Sequence, residues 1–293
     1  MIYFIAFFAP FFYALSIILE SCLSLNIFKK PSTMCFFVSC TNSLFVPLLF
    51  FLGFPTFPES SAWILYFLIA AIDIAYLYPY YIALKKTDTS VVSALFGIGT
   101  IFIPILSFIF LDDVLTPVQY IGFFIVIFAS VILNLNKTKG LKLNAAFYLM
   151  FLSSFLLSCR MILAKAALQI DTNWINVMVY PHIISGTLAF LFLFPKKFRK
   201  DICKQFQNYQ AKLKIFTTIE IVYFFGIVSS VYALNQLSPV ISSAIEATEP
   251  LFLLSIISIT THIYNIQFKE FEIPVVKKIL CFLLMILGIA LVS

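Results

Sequence analysis

Runs of about 20 apolar residues recur along this chain, and the short pieces between them hold nearly all of its charges. A helix needs roughly 20 such residues to cross a bilayer. The 293 residues are 62% hydrophobic and 11% charged, with a mean hydropathy of +1.05, which excludes a soluble globular domain. The pattern predicts an all-α polytopic membrane protein with ten transmembrane helices, at 2–26, 32–54, 62–84, 89–111, 117–135, 144–168, 173–195, 215–236, 239–262 and 273–293.

The pieces outside these predicted spans are too short for a soluble domain, and the longest is the basic stretch 196–214. The first apolar run has no basic segment before it and is long enough to span, so we interpret it as a retained helix and not as a cleaved signal peptide. The six cysteines show no CxxC pair or metal-ligand spacing. This favours packing roles for the thiols and predicts neither a metal site nor a cofactor.

The lysines and arginines lie almost entirely in the loops that follow odd-numbered spans, whereas the loops after even-numbered spans have none. Lys and Arg accumulate in cytoplasmic loops, so this bias predicts that both termini face away from the cytoplasm. The net charge of +6 is therefore an orientation signal beside anionic lipid. We expect no nucleic-acid partner, because the basic run lacks interleaved aromatic stacking residues.

Spans 3 and 4 align with spans 8 and 9 at an offset of 150 residues. Residues 80–95 read YYIALKKTDTSVVSAL, and residues 230–245 read SVYALNQLSPVISSAI. Five spans in each half would place the second half upside down relative to the first. We therefore predict two inverted five-helix repeats, 1–136 and 143–293, that frame a midplane substrate site and work by alternating access.

Four segments carry a family resemblance: ALKKT at 83–87, FLDDVLTPVQYIG at 110–122, YALNQLSP at 232–239 and ATEP at 247–250. With Asp113 before the LTPxQxxG-like turn, the chain resembles the ten-helix, EamA-type branch of the drug/metabolite transporter superfamily. Glu270, Glu272 and Pro274 match the second connection only loosely. The resemblance implies a secondary transporter of a small organic metabolite, not an enzyme, in the plasma (inner) membrane of a bacterium. It also implies cytoplasmic termini, opposite to the charge bias.

Ionisable residues deep in a spanning helix are costly, so each is a candidate site residue that needs a partner. Glu20 and Arg160 stand at near-equivalent points of the two halves, and we predict an ion pair between them. The alternative is that either residue snorkels to a helix end. Snorkelling is the expectation for Lys165 and an alternative for Glu220. The deepest ionisable residues are Glu20, Asp73, Arg160, Glu220, Glu246 and Glu249.

Glu246 and Glu249 are three residues apart, which predicts that both carboxyl groups share one face of span 9 with Ser242. Two such like charges in low dielectric favour retention of at least one proton. Pro250 cannot donate to the carbonyl of Glu246, so the helix is expected to open there, and Pro104 is expected to bend span 4. The alternative is a packing kink, with the carboxyl groups bonded to neighbouring helices.

Tyr76 follows Asp73 by three residues and shares its predicted face, beside other tyrosines that can hold a cation or form an interfacial belt. Acids outnumber bases among the deep residues, which favours a cationic or zwitterionic substrate, such as an amino acid or amine, or a coupling proton. The predicted substrate or proton-binding residues are Glu20, Asp73, Tyr76, Arg160, Ser242, Glu246 and Glu249.

Two other classes of function stay open: a membrane-embedded lipid-modifying enzyme and a membrane subunit without transport activity. The chain has no GxxxxGK[ST] motif for ATP hydrolysis. Its two histidines, His182 and His262, lie near predicted span ends without an HExxH pattern. The expected partners are therefore a small-molecule substrate, the lipid bilayer and a possible coupling proton.

Overall fold

The computed structural model describes residues 2–26, 28, 30–86, 92, 95–97, 99–134, 145–264 and 275–292, and every regular element in these ranges is helical. In that part of the chain, seven helical segments are long and apolar enough to cross a membrane, and three shorter apolar helices occupy the other predicted crossings. The predicted all-α polytopic fold is confirmed. The predicted features at 87–91, 137–142 and 265–274 lie outside the described residues, as does the side chain of His262.

The helices begin and end close to the predicted positions. In the first half, span 1 contains Ile2–Ala6 and Phe8–Asn26, span 2 contains Pro31–Leu44 and Val46–Leu49, span 3 contains Ala62–Ala75 and Leu77–Leu84, span 4 ends with Phe102–Leu111, and span 5 is Pro117–Asn134. In the second half, span 6 is Ala145–Ile170, span 7 is Asn176–Ala189 with the 3₁₀ turn Phe190–Leu193, span 8 is Leu213–Gln236, span 9 contains Pro239–Glu246 and Glu249–Tyr264, and span 10 is Val275–Val292.

The prediction for span 2 is wrong at its end. The helix stops at Leu49, and the remaining apolar residues enter a loop in which Phe51, Phe54 and Phe57 are exposed. Gly53 has a φ of 150°, which no helix accommodates. Hydrophobicity alone therefore extended the prediction past a glycine that terminates the helical geometry.

In addition to the turns at Phe7 in span 1 and Phe45 in span 2, three spans are interrupted near the middle of their length, each a few residues before a proline. A proline has no N–H to donate to the carbonyl four residues earlier, so that carbonyl is released from the helix ladder. The breaks are visible as turns at Tyr76 in span 3, at Thr100 and Ile101 in span 4, and at Ala247 and Thr248 in span 9. The carbonyls four residues before the prolines are those of Ala75, Thr100 and Glu246, and the Thr100 carbonyl oxygen accepts instead from the Ile103 N–H at 2.9 Å.

The packing of the spans is related across the two halves of the sequence. Span 1 packs on span 8 as span 6 packs on span 3, and span 1 packs on span 9 as span 6 packs on span 4. Spans 5 and 10 pack on each other, with a Cβ placed on Gly288 lying only 2.7 Å from the carbonyl oxygen of Gly122. Such reciprocal packing, in which spans 1 and 6 each contact helices of the other half, is expected of paired repeats. The boundaries 1–136 and 143–293 stay a prediction.

The basic stretch between spans 7 and 8 is an amphipathic helix, Lys196–Ala211, which the sequence interpretation missed. Its apolar face packs on the start of span 2, where Tyr209 stacks on Phe37 with ring centroids 4.4 Å apart. The Tyr209 hydroxyl lies 2.9 Å from Thr41 Oγ1, and burial raises the pKa of Tyr209. The sequence does indicate this helix, because four apolar residues recur at helical spacing: Phe198, Ile202, Phe206 and Tyr209.

Candidate functional site

A cavity of about 220 Å³ lies among spans from both halves of the sequence. Spans 1, 3, 4, 6, 8 and 9 contribute to its wall, and Ser130 of span 5 joins them. We call it the large cavity. Of the predicted residues, the wall includes Glu20, Tyr76, Arg160, Glu246, Glu249 and Pro250.

Glu246 and Glu249 reach this wall in a way that differs from the prediction. The helix break separates them, so Glu246 ends one helix and Glu249 begins the next, and they do not share the face of one continuous helix. Ser230 Oγ of span 8 donates to Glu246 Oε1. The break at Pro250 therefore presents both carboxyl groups to the same cavity from different helices.

Ser242 is not part of either cavity wall among the described residues, contrary to the prediction that it joins the two glutamates. It is buried within the short helix Pro239–Glu246, where its hydroxyl has no hydrogen-bond partner in the described part of the chain. Ser242 and Glu246 lie in the same short helix, and the break after Glu246 separates both of them from Glu249. Pro104 is itself off the wall, but Thr100 and Ile103, at the break that it causes, line the large cavity.

A second, smaller cavity of about 30 Å³ lies beside the first. We call it the small chamber. A buried water requires roughly 10–15 Å³ of such space, so the chamber has room for one or two waters and none for a metabolite. Its ionisable wall residues are Glu20, Asp73, Tyr76, His182, Glu220 and Tyr223.

Glu20 belongs to the walls of both cavities and is the centre of a hydroxyl cluster. Its Oε1 accepts from Ser16 Oγ at 3.2 Å, and its Oε2 accepts from the hydroxyls of Tyr80 and Tyr81 at 3.3 Å each. Ser16 is one helical turn earlier in span 1, and the tyrosines follow the break in span 3. Three hydroxyl donors stabilise the charged carboxylate at this position.

The predicted ion pair between Glu20 and Arg160 is wrong, because Arg160 pairs with Asp73. Arg160 Nε donates to Asp73 Oδ1, and the two side chains are only 16% and 15% exposed. Span 6 packs directly on span 3, which carries Asp73, whereas span 1 packs mainly on spans 8 and 9. A buried guanidinium needs a carboxylate within direct reach, so the packing of the helices selects Asp73 as the partner.

The predicted site residues did not include Glu220, which the sequence places among the deep ionisable residues with snorkelling as the alternative, or His182. Glu220 is 2% exposed and lies about two turns inside span 8, so it does not snorkel to the helix end. His182 is 6% exposed, and its Nδ1 lies 2.6 Å from the carbonyl oxygen of Met178, to which it donates. That tautomer leaves Nε2 as an acceptor. The depth of Glu220 was readable from the sequence only by first recognising the amphipathic helix before span 8.

Lys165 does not snorkel either. Its Nζ donates to the carbonyl oxygens of Leu234 and Leu237, at 2.8 and 2.9 Å, where span 8 ends. A cation at the C-terminus of a helix is favoured by the helix dipole and by the carbonyls left without a partner there. Lys165 therefore joins span 6 to span 8 as a structural contact outside both cavity walls.

Comparison with known proteins agrees with this architecture. The sequence model of the EamA-like transporter family matches residues 1–135. No curated protein matches the sequence, whereas 29 solved chains match the structure. One crystal structure aligns over 100% of this chain and 94% of its own length, with a TM-score of 0.65 and 13% identity, which shows a shared fold. The protein is thus a multi-pass integral membrane protein whose residues 1–135 match the EamA-like transporter family, which is part of the drug/metabolite transporter superfamily.

Proposed function

We propose that this protein is a secondary transporter that moves a small cationic or zwitterionic metabolite, such as an amine or an amino acid, by alternating access. The observation that carries the proposal is the charge of the large cavity. Its wall includes the carboxyl groups of Glu20, Glu246 and Glu249, while Arg160, its one described basic residue, is already paired with Asp73.

The one described basic residue on the wall of the large cavity is neutralised by an acidic residue outside that wall. The Arg160 charge is offset by Asp73, so it contributes little attraction for an anion. Three glutamates line the same wall, and between packed helices a charge interacts more strongly than in solution. A cation in this cavity gains from these carboxyl groups, whereas an anion meets repulsion and a guanidinium that already has a partner.

Aromatic rings give the cavity a second means of holding a cation. Tyr13, Tyr76, Tyr80 and Tyr223 lie on the wall around Glu20. A cation over a tyrosine face is attracted by the ring quadrupole by about 0.5–2 kcal/mol, most strongly where water is excluded. Carboxyl groups and tyrosine faces together suit an organic ammonium better than a strongly hydrated metal ion.

Alternating access is supported by the position of the helix breaks. Tyr76, Thr100 and Ala247 lie at breaks in spans 3, 4 and 9, and all three also line the large cavity. Interrupted helices around a midplane site are the points where transporter halves bend or rock. We therefore assign the bending to the substrate site itself and not to remote loops.

The basic face of the protein is proposed to lie in the cytoplasm of a bacterium, with the chain in the plasma (inner) membrane. Lys30, after span 1, lies 3.8 Å from Asp201 of the amphipathic helix, so the loops after spans 1 and 7 share one face. Reporter fusions test this orientation. A cytoplasmic signal from a reporter within 196–214 is expected, and a signal from the opposite side would reverse it.

The substrate class is tested by thermal stabilisation of the purified protein in detergent, since a ligand that binds the folded state raises its melting temperature. The panel contains amines, polyamines, amino acids, carboxylates, nucleosides and nucleotide sugars. We expect stabilisation by amines or amino acids. The stabilising compound is then supplied, radiolabelled, to proteoliposomes, where uptake should depend on the protein and fall in the Glu249→Gln variant.

The matched control is Glu59→Gln, because Glu59 lies in an exposed loop after span 2. Its stabilisation and uptake should equal those of the wild type. Stabilisation by anions alone would contradict the acidic-cavity argument. Binding without uptake, accompanied by chemical change of the lipids, would favour the lipid-modifying enzyme.

A further inference from the structure

We propose that the small chamber is a proton-binding site, in which Glu220 holds the proton and Glu20 links it electrostatically to the substrate in the large cavity. The coupling role rests on the proposed function, but the proton site itself does not. The site has three parts. They are a buried carboxyl group that has no hydrogen-bond or ion-pair partner among the described residues, a neighbouring carboxylate that faces both cavities, and space for water.

Glu220 is the first part. It is 2% exposed and lines the chamber, and among the described residues it has no hydrogen bond or ion pair. An ionised carboxylate without a donor or cation is very costly in a buried site, and a group in that position takes up a proton instead. In the protonated form, Glu220 can also donate to a chamber water or to an acceptor on the wall.

Glu20 is the second part, and it differs from Glu220 in its donors. Three hydroxyls donate to its carboxylate, from Ser16, Tyr80 and Tyr81. Glu20 and Glu220 interact electrostatically, and two neighbouring carboxyl groups in low dielectric hold one proton more readily than none. The difference in donors places the charge on Glu20 and the proton on Glu220.

Among the described residues, the wall of the chamber contains no lysine or arginine that would take the place of the proton. Arg160 is engaged with Asp73, and His182 donates its Nδ1 hydrogen to Met178, which leaves Nε2 available as an acceptor. The ionisable groups on the described helices that pack around span 8 include Tyr13, Glu20, Cys40, Asp73, Tyr76, Arg160, Lys165, His182, Tyr209 and Glu246. Lys165 is held at the far end of span 8 by the carbonyl oxygens of Leu234 and Leu237.

Linkage to the substrate follows from the shared wall. The negative charge of Glu20 helps to retain the proton on Glu220. A cation in the large cavity offsets that charge, so proton release from the Glu220 carboxyl to the chamber water becomes more favourable. The O–H bond of Glu220 breaks, the proton leaves through water, and no other bond changes. By reciprocity, loss of this proton must strengthen cation binding by the same factor.

Infrared titration of the purified protein tests the proton site without any substrate. At neutral pH, the wild type should show the C=O stretch of a protonated carboxyl group, which disappears as the pH is raised. The component of that band that belongs to Glu220 should be lost in Glu220→Gln, whereas any component from Glu246 or Glu249 should remain, and the whole band should be retained in Glu59→Gln. Glu220→Asp, which keeps a carboxyl group, should show the band at a shifted frequency and covers the case in which the glutamine variant does not fold.

Absence of the band in the wild type, or an unchanged band in a folded Glu220→Gln variant, would overturn the proton site. The linkage has its own test, with the amine identified in the stabilisation panel as the probe. Its affinity for the wild type should rise with pH, and this pH dependence should be lost in Glu220→Gln. An unchanged pH dependence would overturn the linkage. If the infrared band is present but no compound of the panel binds, the proposed function fails while the proton site stands.

Discussion

The large cavity and the small chamber share the wall formed by Glu20, Tyr76 and Tyr223, yet they treat buried charge differently. On the chamber wall, the charge of Asp73 is offset by Arg160 of the neighbouring cavity wall, and Glu220 has no hydrogen-bond or ion-pair partner among the described residues. In the cavity, three carboxyl groups face about 220 Å³ of space among aromatic rings. The volume of each cavity therefore limits which ligand can compensate the charge of a buried carboxyl group. The cavity admits an organic cation, whereas the chamber of about 30 Å³ admits only water and a proton.

The largest effect is expected from breaking the ion pair at the chamber. Arg160→Met leaves Asp73 as a buried charge without its cation, which should destabilise the protein by roughly 3–5 kcal/mol. Thermal or denaturant unfolding in detergent measures the loss. The double variant Asp73→Asn/Arg160→Met removes both charges and should recover most of the stability. A double variant as unstable as the single one would show that the pair does not stabilise by charge compensation.

An intermediate effect is expected at the helix break of the large cavity. Pro250→Ala restores an N–H that can donate to the carbonyl of Glu246, so the helix can close and carry Glu249 away from its present position. Uptake of the amine should fall about tenfold, equivalent to roughly 1.4 kcal/mol, with the infrared band of Glu220 unchanged.

Pro239→Ala is the matched control for that variant. Pro239 occupies the first turn of its helix, where the missing N–H has no intrahelical acceptor. Its uptake should equal that of the wild type. Equal losses in both variants would indicate that proline at either position acts through general stability and not through the break.

The smallest effect is expected at the wall between the two cavities. Tyr80→Phe and Tyr81→Phe each remove one hydroxyl donor from Glu20 at 3.3 Å, and a hydrogen bond contributes about 0.5–1.5 kcal/mol net. Each variant should lower the pH at which the Glu220 band disappears. The charge on Glu20 is less well stabilised, so it helps less to retain the proton on Glu220. Tyr148→Phe, at an exposed position of span 6, should leave that pH unchanged. An equally large shift in Tyr148→Phe would contradict the claim that the Tyr80 and Tyr81 hydroxyls act on the proton of Glu220.

The sequence predicted the spans well, because a crossing is a local property of about 20 consecutive residues. The breaks at Pro104 and Pro250 could also be predicted from local sequence, because a proline has no N–H to donate wherever it stands. The end of span 2 was missed for the opposite reason. Its apolar loop has the composition of a helix, and only the positive φ of Gly53 shows that the helix has ended.

Side-chain pairing could not be predicted in the same way, because it depends on which spans touch. Arg160 was assigned to Glu20 by symmetry of position, but the packing of span 6 on span 3 gives it Asp73. The basic stretch 196–214 makes Glu220 look close to the end of span 8. The depth of Glu220 becomes clear only when residues 196–211 are recognised as a separate amphipathic helix. The role of each predicted site residue stays a prediction, and the placement of Glu20, Tyr76, Arg160, Glu246 and Glu249 around one cavity is what the structure adds.

Cation selection by the large cavity is tested most directly with two ligands of the same shape. The affinity of the stabilising amine is compared with that of its uncharged isostere, in the wild type and in Glu249→Gln. We predict that the wild type prefers the cation by at least about tenfold, or roughly 1.4 kcal/mol, and that Glu249→Gln narrows this preference without weakening the isostere. Equal affinity of the wild type for both ligands would contradict the acidic-cavity account.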